Sequence, residues 1–447
     1  MQFDALFREQ TPVTPKRGVH LDLKGVPPTA KRLVQLIEVF AAARYNVVLV
    51  EWEDSFPWTV DERFRSPTAY TPDDVRAFCK TAASLGIELI PLVQCLGHME
   101  TPLAVAGYER LREVPNDSSV LNALAPGARE LVQNMVNDVL QLMPDITYFH
   151  LGGDEARTMG HHPDTKAYLQ KHGKGALYLH HVEPILEDLN ARGVRPLLWH
   201  DMMIDWNDAA LDSLAQKADL VTWGYAEDPV TTDHHYNIKY IERFHEHGVR
   251  QWGGTAYKGA DGHNIDLPDI ANRQANALAW IRVAQQFDFA GVIATAWSRY
   301  STNRVQCEPI DAALDSLINV AVILHDGQPP KGGIEACVTA LEELEERARF
   351  EACRAAMAHL SAFRRRTWQE IQSVREQVVL CRNDPRRGHA PHETDWIERL
   401  RQSVMEKAED ASVEMKRSFH GLLDPVWIEE YLETRLAPLR EDLESLG

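Results

Sequence analysis

The stretch ITYFHLGGDE at residues 146–155 runs from a β-branched and aromatic segment into two glycines and two acids. A short apolar run of this kind, bounded by turn residues, is typical of a strand buried on both faces, as in a parallel sheet. The glycines allow a sharp bend, after which Asp154 and Glu155 stand side by side. The stretch therefore predicts a buried strand that ends in a polar site.

Seven similar runs, alternating with segments of helical periodicity, predict a (β/α)₈ barrel between residues 17 and about 327. An open doubly wound sheet is the alternative. That fold usually has a glycine-rich phosphate turn after its first strand, and LDLKGVPP at residues 21–28 offers none. The predicted strands are residues 17–23, 46–52, 87–93, 146–152, 195–201, 219–225, 249–256 and 290–297, and the predicted helices are residues 28–45, 71–86, 128–143, 176–193, 207–218, 235–247, 272–287 and 309–325.

The chain changes character after HDGQPPKGG at residues 325–333. Long segments rich in Glu and Arg follow, and they contain no strand pattern. We therefore predict two regions, a catalytic barrel over residues 1–327 and a C-terminal region of three or four helices over residues 328–447. Apolar side chains on helices that follow a complete barrel also predict a homodimer.

Composition and charge exclude several classes of partner. The net charge of −19 argues against binding to nucleic acid or to an anionic membrane surface. The sequence contains neither an apolar run of the ~18–20 residues that a membrane span needs nor the blocks of a signal peptide, so we expect a cytoplasmic protein. The six cysteines form no C-x-x-C pair, which favours reduced thiols over a zinc site or a disulfide framework.

Polar and aromatic residues gather where the predicted strands end, which is the active-site face of such a barrel. Acids, imidazoles and several Trp rings in one mouth suit a sugar, and glycoside hydrolysis uses paired carboxylates. A metal site is the rival interpretation, but no H-x-H or H-E-x-x-H spacing occurs at a strand end, so we expect neither metal nor cofactor. The candidates are Arg17, His98, His150, Asp154, Glu155, Trp199, Asp201, Trp223, Tyr225, Tyr257, Trp297 and Arg299.

Most of these residues also have a structural interpretation, because a single Trp on a strand is commonly part of the core. The pair Asp154 and Glu155 fits a structural role poorly. Two adjacent carboxylates at a strand end repel each other, which raises the pKa of one of them. Such unfavourable repulsion is more common at functional sites than at purely structural positions.

The motif HLGGDE at residues 150–155 resembles the signature of the family-20 glycoside hydrolases, the β-N-acetylhexosaminidases. In these (β/α)₈ enzymes the fourth strand ends in His or Asn, any residue, and Gly-Gly-Asp-Glu. The spacing of RGVHLDL (17–23), VEWEDSFPW (50–58) and QCLGHMETPL (94–103), together with the helical C-terminal part, is similar to the intracellular hexosaminidase D branch.

The resemblance implies a retaining exo-β-N-acetylhexosaminidase that acts on glycans ending in β-linked GalNAc or GlcNAc. In that family the 2-acetamido oxygen of the substrate attacks the anomeric carbon and forms an oxazolinium ion. Asp154 would orient the acetamido group, and Glu155, its pKa raised by the neighbouring anion, would be the acid and then the base. Further implied contacts are Arg17 on the sugar hydroxyls, Trp199, Trp223 and Trp297 as walls, and Tyr225 or Tyr257 on the acetamido oxygen.

The sequence departs from the common family pattern at two places. Gln94 stands where many members have an Asp four residues before the His, and SRY follows Trp297 where secreted members often have a Glu. Arg299 would then favour a different sugar epimer or an anionic neighbour. Two other functions stay open, a catalytically idle barrel that binds amino sugars or serves as a scaffold, and an exo-enzyme that releases a modified amino sugar or a disaccharide.

Overall fold

Eight parallel strands close into a barrel in a computed structural model that describes residues 2–262, 264–384, 386 and 394–446. Going round the barrel, the strands lie in the order β1, β10, β9, β8, β7, β6, β3 and β2. All eight predicted strands form, which confirms the predicted fold. Their bounds are β1 Lys16–Asp22, β2 Val47–Glu51, β3 Glu88–Leu92, β6 Tyr148–His150, β7 Arg195–Trp199, β8 Asp219–Trp223, β9 Gln251–Lys258 and β10 Gly291–Ala296.

Helices surround the barrel and continue beyond it. Helix α3 begins as predicted, with a capping box in which Thr71 and Asp74 satisfy each other's backbone N–H groups. Among the described residues, no helix is both long enough and apolar enough to cross a membrane. The helices are α1 Gln2–Leu6, α2 Ala30–Ala42, α3 Pro72–Ser84, α4 Glu100–Leu103, α5 Ala128–Leu142, α6 Pro163–His172, α7 Lys174–Ala191, α8 Asp208–Ala215, α9 Ile238–Glu246, α10 Ile270–Gln286, α11 Leu314–Asp326, α12 Gly333–Ala340, α13 Arg347–Asn383, α14 Thr394–Ser418 and α15 Pro425–Glu444.

A short antiparallel hairpin, β4 (Arg112–Val114) and β5 (Asp117–Leu121), was not predicted. Its strands are short and partly exposed, so they carry no clear period-2 pattern. The hairpin fixes the loop after β3, because the Leu121 N–H donates to the Leu96 carbonyl (2.9 Å) and the Met99 N–H donates to the Ser119 carbonyl (3.0 Å). His98 lies on that loop.

Apolar side chains fill the barrel interior up to the mouth. Leu49, Ile90, Leu197 and Ile293 pack there with Trp252, whose Nε1 donates to Asp219 (3.2 Å). A second apolar layer lies between the strands and the helices. Because apolar side chains fill the interior below the mouth, a ligand can enter only at the carboxyl ends of the strands.

The C-terminal helices pack on loops at the mouth side of the barrel. The Thr29 N–H, after β1, donates to the Leu422 carbonyl (2.7 Å), and Trp427 Nε1 on α15 donates to Thr68, after β2 (2.7 Å). Phe350 on α13 joins the apolar layer of the barrel. The helical C-terminal region is confirmed, while the boundary at residues 327/328 and the homodimer stay predictions.

Asp266 of the barrel anchors two of these helices. Its buried carboxylate pairs with Arg435 Nε on α15 (2.9 Å) and with Arg364 Nη1 on α13 (2.6 Å), and it accepts from the Tyr431 hydroxyl (2.8 Å). The side chains of Arg435 and Asp266 are both fully buried. Removal of one partner from a buried charge network of this kind strongly destabilises the fold, because the remaining charge stays buried without that partner.

We expect Arg435→Ala to lower the free energy of unfolding by about 3–5 kcal/mol, since it leaves Asp266 buried with a weakened set of partners. Urea denaturation followed by fluorescence measures the change. Arg440→Ala is the matched control, because Arg440 lies on the same helix and pairs with Glu433 (3.0 Å) in a partly exposed contact worth about 0–1 kcal/mol. Equal losses in the two variants would contradict the anchoring role.

Candidate active site

A tight bend after β6 carries Asp154 and Glu155. Gly152, Gly153 and Glu155 have positive φ angles of 58°, 79° and 46°. A Cβ atom at Gly152 would lie 1.8 Å from the Gln94 amide oxygen, and one at Gly153 would lie 2.0 Å from the Tyr178 hydroxyl. Only glycine therefore fits at these two positions, and the bend places consecutive carboxylates in the mouth instead of on opposite faces of a strand.

Neighbouring strands hold the backbone of the bend. The Gly153 N–H donates to Gln94 Oε1 (3.1 Å), and the Glu155 N–H donates to Asp201 Oδ2 (2.9 Å). His150, at the end of β6, accepts the Gly152 N–H on Nδ1 (2.9 Å) and packs against Trp199 at 4.3 Å between ring centroids. Burial lowers the pKa of His150 to about 3, so its ring is neutral and supports the bend without adding charge.

The imidazole of His98 lies between the two acids. Its Nε2 is 3.4 Å from Asp154 Oδ2 and 3.5 Å from Glu155 Oε2. Burial opposes a charge on His98, but the Asp154 and Glu155 carboxylates outweigh burial and raise the pKa of His98 well above 6.5. His98 itself has a positive φ of 53°, a strained conformation for a non-glycine residue that is common at functional sites.

The prediction that the pKa of Glu155 is raised is wrong. Contact with His98, together with the Arg157 guanidinium (Nη2 to Oε1, 2.6 Å), lowers the pKa of Glu155 to about 2. Asp201 is instead the carboxyl group with the raised pKa, about 7, because it is buried and faces the charge of Asp154. Burial opposes the charge of Glu155, but two cations in direct contact with its carboxylate outweigh burial.

Four aromatic rings from β7, β8 and β10 form one wall of the mouth. Trp223 stacks on Tyr225 at 5.3 Å between ring centroids, and Trp297 lies 6.1 Å from both Tyr225 and Trp199. Asp154 Oδ1 and the Nε1 atoms of Trp199 and Trp223 are buried, and no residue in the described part of the chain hydrogen-bonds to them. A ligand that brings both polar and apolar groups would satisfy this wall.

Lys24 is a residue of the mouth that sequence reasoning missed. Its Nζ is 2.6 Å from Glu51 and 2.9 Å from Asp22, and it lies 5.6 Å from the Trp297 ring. Burial opposes its charge, but the two carboxylates raise the pKa of Lys24 above its usual value. Burial also raises the pKa of Glu53 to about 8, although the charge of Lys24 opposes this rise. The sequence indicated Lys24 only by its position, two residues after Asp22 at the end of the first predicted strand.

Arg17 and Tyr257 lie outside the mouth, contrary to prediction. Arg17 is at the amino end of β1, where its guanidinium donates to the Thr14 (2.9 Å) and Arg44 (3.0 Å) carbonyls, so it cannot reach a sugar at the carboxyl ends. Tyr257 is buried on the outer face of β9, and its hydroxyl donates to the His20 carbonyl (3.3 Å). The alternation of side chains along a strand accounts for Tyr257, because Trp252 occupies the opposite, inner face.

Arg299 lies at the rim, held by a C-terminal helix. Its guanidinium forms an ion pair with Glu430 on α15 and donates to the Thr302 carbonyl (2.9 Å). A Cβ atom at Gly25 would lie 2.0 Å from Arg299 Nε, so this glycine makes room for the side chain. Burial raises the pKa of the nearby Asp54 to about 6, although the charge of Arg299 opposes this rise.

Within the described ranges, no three or more His, Cys, Asp or Glu side chains are placed to hold an ion together. The chemistry of the mouth thus consists of carboxyl groups, imidazoles, one buried ammonium and an aromatic wall.

Known proteins share this fold. Residues 15–309 match the family model described as "Glycosyl hydrolase family 20, catalytic domain". The chain is 33% identical to hexosaminidase D of Bos taurus over 321 residues, which cover 69% of this chain and 92% of the relative. It is 33% identical to hexosaminidase D of Homo sapiens over 322 residues, which cover 70% of this chain and 66% of the relative. The predicted resemblance to this family is confirmed.

A solved structure, the chitobiase of Flavobacterium johnsoniae, has the same fold. It aligns with a TM-score of 0.58 at 14% identity and covers 97% of this chain and 71% of that chain. Residues 15–309, which match the family model, contain all eight barrel strands together with Asp154 and Glu155. The chain therefore belongs to glycosyl hydrolase family 20, the β-N-acetylhexosaminidase family of glycoside hydrolases.

Proposed function

We propose that the protein is a retaining exo-β-N-acetylhexosaminidase that removes terminal β-linked GalNAc or GlcNAc with help from the 2-acetamido group of the substrate. The observation that carries the proposal is the pair Asp154 and Glu155, adjacent in sequence and both in contact with His98, beside an aromatic wall. Two relatives with 33% identity are named hexosaminidase D, which supports this choice of sugar.

Asp154 is the partner of the acetamido N–H in this proposal. It is buried, and its Oδ1 has no hydrogen-bond partner in the described part of the chain. As the acetamido oxygen attacks the anomeric carbon, positive charge grows on the nitrogen, and a carboxylate already in place stabilises it. Trp199, Trp223 and Trp297 enclose the methyl group and the sugar face, and the Tyr225 hydroxyl donates to the acetamido oxygen.

Glu155 is the proton donor and later the base, and it shares its proton with His98. The form with the proton on His98 and the form with the proton on Glu155 carry the same total charge, so the pair titrates as a unit. In the free enzyme the proton resides on His98, since His98 has the raised pKa and Glu155 the lowered one. Transfer of this proton from His98 to Glu155 gives Glu155 the proton that it donates to the glycosidic oxygen.

The rim supports an exo mode of action. Arg299 pairs with Glu430 on helix α15 and lies near Asp54, and we infer that this ion pair closes one side of the mouth. A pocket closed on that side accepts the end of a glycan rather than its middle. We place Arg299 on the outer hydroxyls of the terminal sugar, in the role that the family resemblance implied for Arg17.

The cytoplasmic location and the homodimer expected from the sequence stay predictions.

A panel of aryl glycosides tests the proposed function. We expect hydrolysis of aryl β-GalNAc or β-GlcNAc and at least about 100-fold slower hydrolysis of the aryl β-galactoside, because a plain galactoside lacks the internal nucleophile. Initial rates from released aryl alcohol give kcat/KM for each. Equal rates for the galactoside would contradict the acetamido mechanism, and binding of a thiazoline analogue without turnover would favour the idle sugar-binding barrel.

Substitutions separate the roles of the two acids. Glu155→Gln should lose about 10²–10⁴-fold in kcat/KM with an unactivated leaving group and much less with dinitrophenol, which needs no protonation. Asp154→Asn should lose about 10²–10³-fold with both, because the charge that stabilises the oxazolinium ion is gone. Glu187→Gln, an exposed acid on α7, is the control. The reverse pattern would mean that the roles are exchanged.

The shared proton predicts a specific pH dependence. Because the raised pKa of His98 keeps one proton on the pair, kcat/KM with an unactivated substrate should stay high to a pH well above 6.5 and then fall. In His98→Gln, Glu155 alone must hold the proton. The basic limb of the pH profile of kcat/KM should therefore move to lower pH by more than one unit. Thermal unfolding of the variant checks that it folds. A basic limb unchanged by the substitution would rule out proton sharing.

A further inference from the structure

A cavity of about 530 Å³ opens directly beside Glu155. Its walls include Glu155, Arg157, Lys174, Met202, Trp223 and His235. If the proposed function holds, on which this inference rests, Glu155 must lie against the glycosidic oxygen that it protonates. The cavity on its outer side is then the place of the leaving sugar.

Arg157 is the cation in this cavity that a substrate can engage. Lys174 already lies 3.0 and 3.1 Å from the two carboxylate oxygens of Asp205. Arg157 projects into solvent with 78% of its side chain exposed, and within the described ranges Glu155 is the one carboxylate within ion-pair distance of it (2.6 Å). When Glu155 takes up the proton, Arg157 loses this counter-charge and faces the leaving sugar alone.

The chemistry of the leaving sugar follows from this geometry. In a 4-linked uronic acid the C5 carboxylate stands on the carbon next to C4, which carries the glycosidic oxygen. Glu155 contacts that oxygen and Arg157 contacts Glu155, so a carboxylate at C5 lies within reach of the guanidinium. Guanidinium and carboxylate form strong two-point hydrogen bonds. The buried Nε2 of His235, which no described residue hydrogen-bonds, offers a further polar contact to the sugar.

We propose that Arg157 selects a uronic acid as the leaving sugar, so that the preferred linkage is an N-acetylhexosamine β1→4-linked to a uronic acid. The carboxylate of the substrate replaces Glu155 on the guanidinium. Glu155 then keeps His98 as its cationic contact and is more readily protonated. The substrate thereby helps to bring its own proton donor into the acid form.

A matched pair of disaccharides tests this proposal. GalNAcβ1→4GlcA and GalNAcβ1→4Glc differ only in a carboxylate or a hydroxymethyl group at C5, and the GlcNAc pair replaces them if the aryl GlcNAc substrate is faster. We expect wild-type kcat/KM to be at least tenfold higher for the uronide. Arg157→Gln should bring this ratio close to one, while Arg192→Gln, a partly exposed cation after α7 that pairs with Asp188, should keep it.

The outcomes separate this inference from the proposed function. A wild-type ratio near one, or a ratio that survives Arg157→Gln, overturns the role of Arg157 while cleavage of both disaccharides still supports the hexosaminidase. Absence of turnover for every disaccharide and aryl substrate overturns both. A glucose 6-sulfate leaving sugar is a third arm, and a stronger preference for it than for the uronide would overturn the assignment of a carboxylate.

Discussion

The bend at Gly152 and Gly153 is the constraint on which the rest of the candidate active site depends. A regular strand would send Asp154 and Glu155 to opposite faces, one into the barrel and one toward the helices. The positive φ angles after β6 turn both into the mouth, and the space that a Cβ would need is taken by Gln94 and Tyr178. The adjacency of the two acids is therefore a consequence of this turn.

Two carboxylates so close together must be compensated, and the compensation distinguishes them. His98 contacts both, Arg157 contacts only Glu155, and Asp201 accepts the Glu155 N–H. The surrounding cations hold Glu155 ionised, and the group with the raised pKa is Asp201. In the proposed mechanism Glu155 receives its proton from His98, whose imidazole is in contact with it. The arrangement favours chemistry in which protonation accompanies substrate binding.

The C-terminal helices shape the mouth in addition to packing on the barrel. Asp266 binds Arg364 and Arg435 in buried ion pairs, and Glu430 holds Arg299 at the rim. These contacts join loops after β9 and β10 to helices far along the chain. Stability of the helical region and the shape of the pocket are thus physically linked, because the same helix, α15, supplies Arg435 and Glu430.

The sequence by itself determined the barrel, its eight strands and the position of the acidic pair. Burial patterns of parallel strands and glycines before polar residues are local properties, and they are visible along one chain. Tertiary structure alone decided which strand-end residues face the mouth, since this depends on strand direction and on the face of each residue. Arg17 lies at the wrong end of β1, Tyr257 on the outer face of β9, and Lys24 in the mouth. The charge state of Glu155 was likewise set by His98 and Arg157, because a pKa depends on distances that only the folded chain fixes.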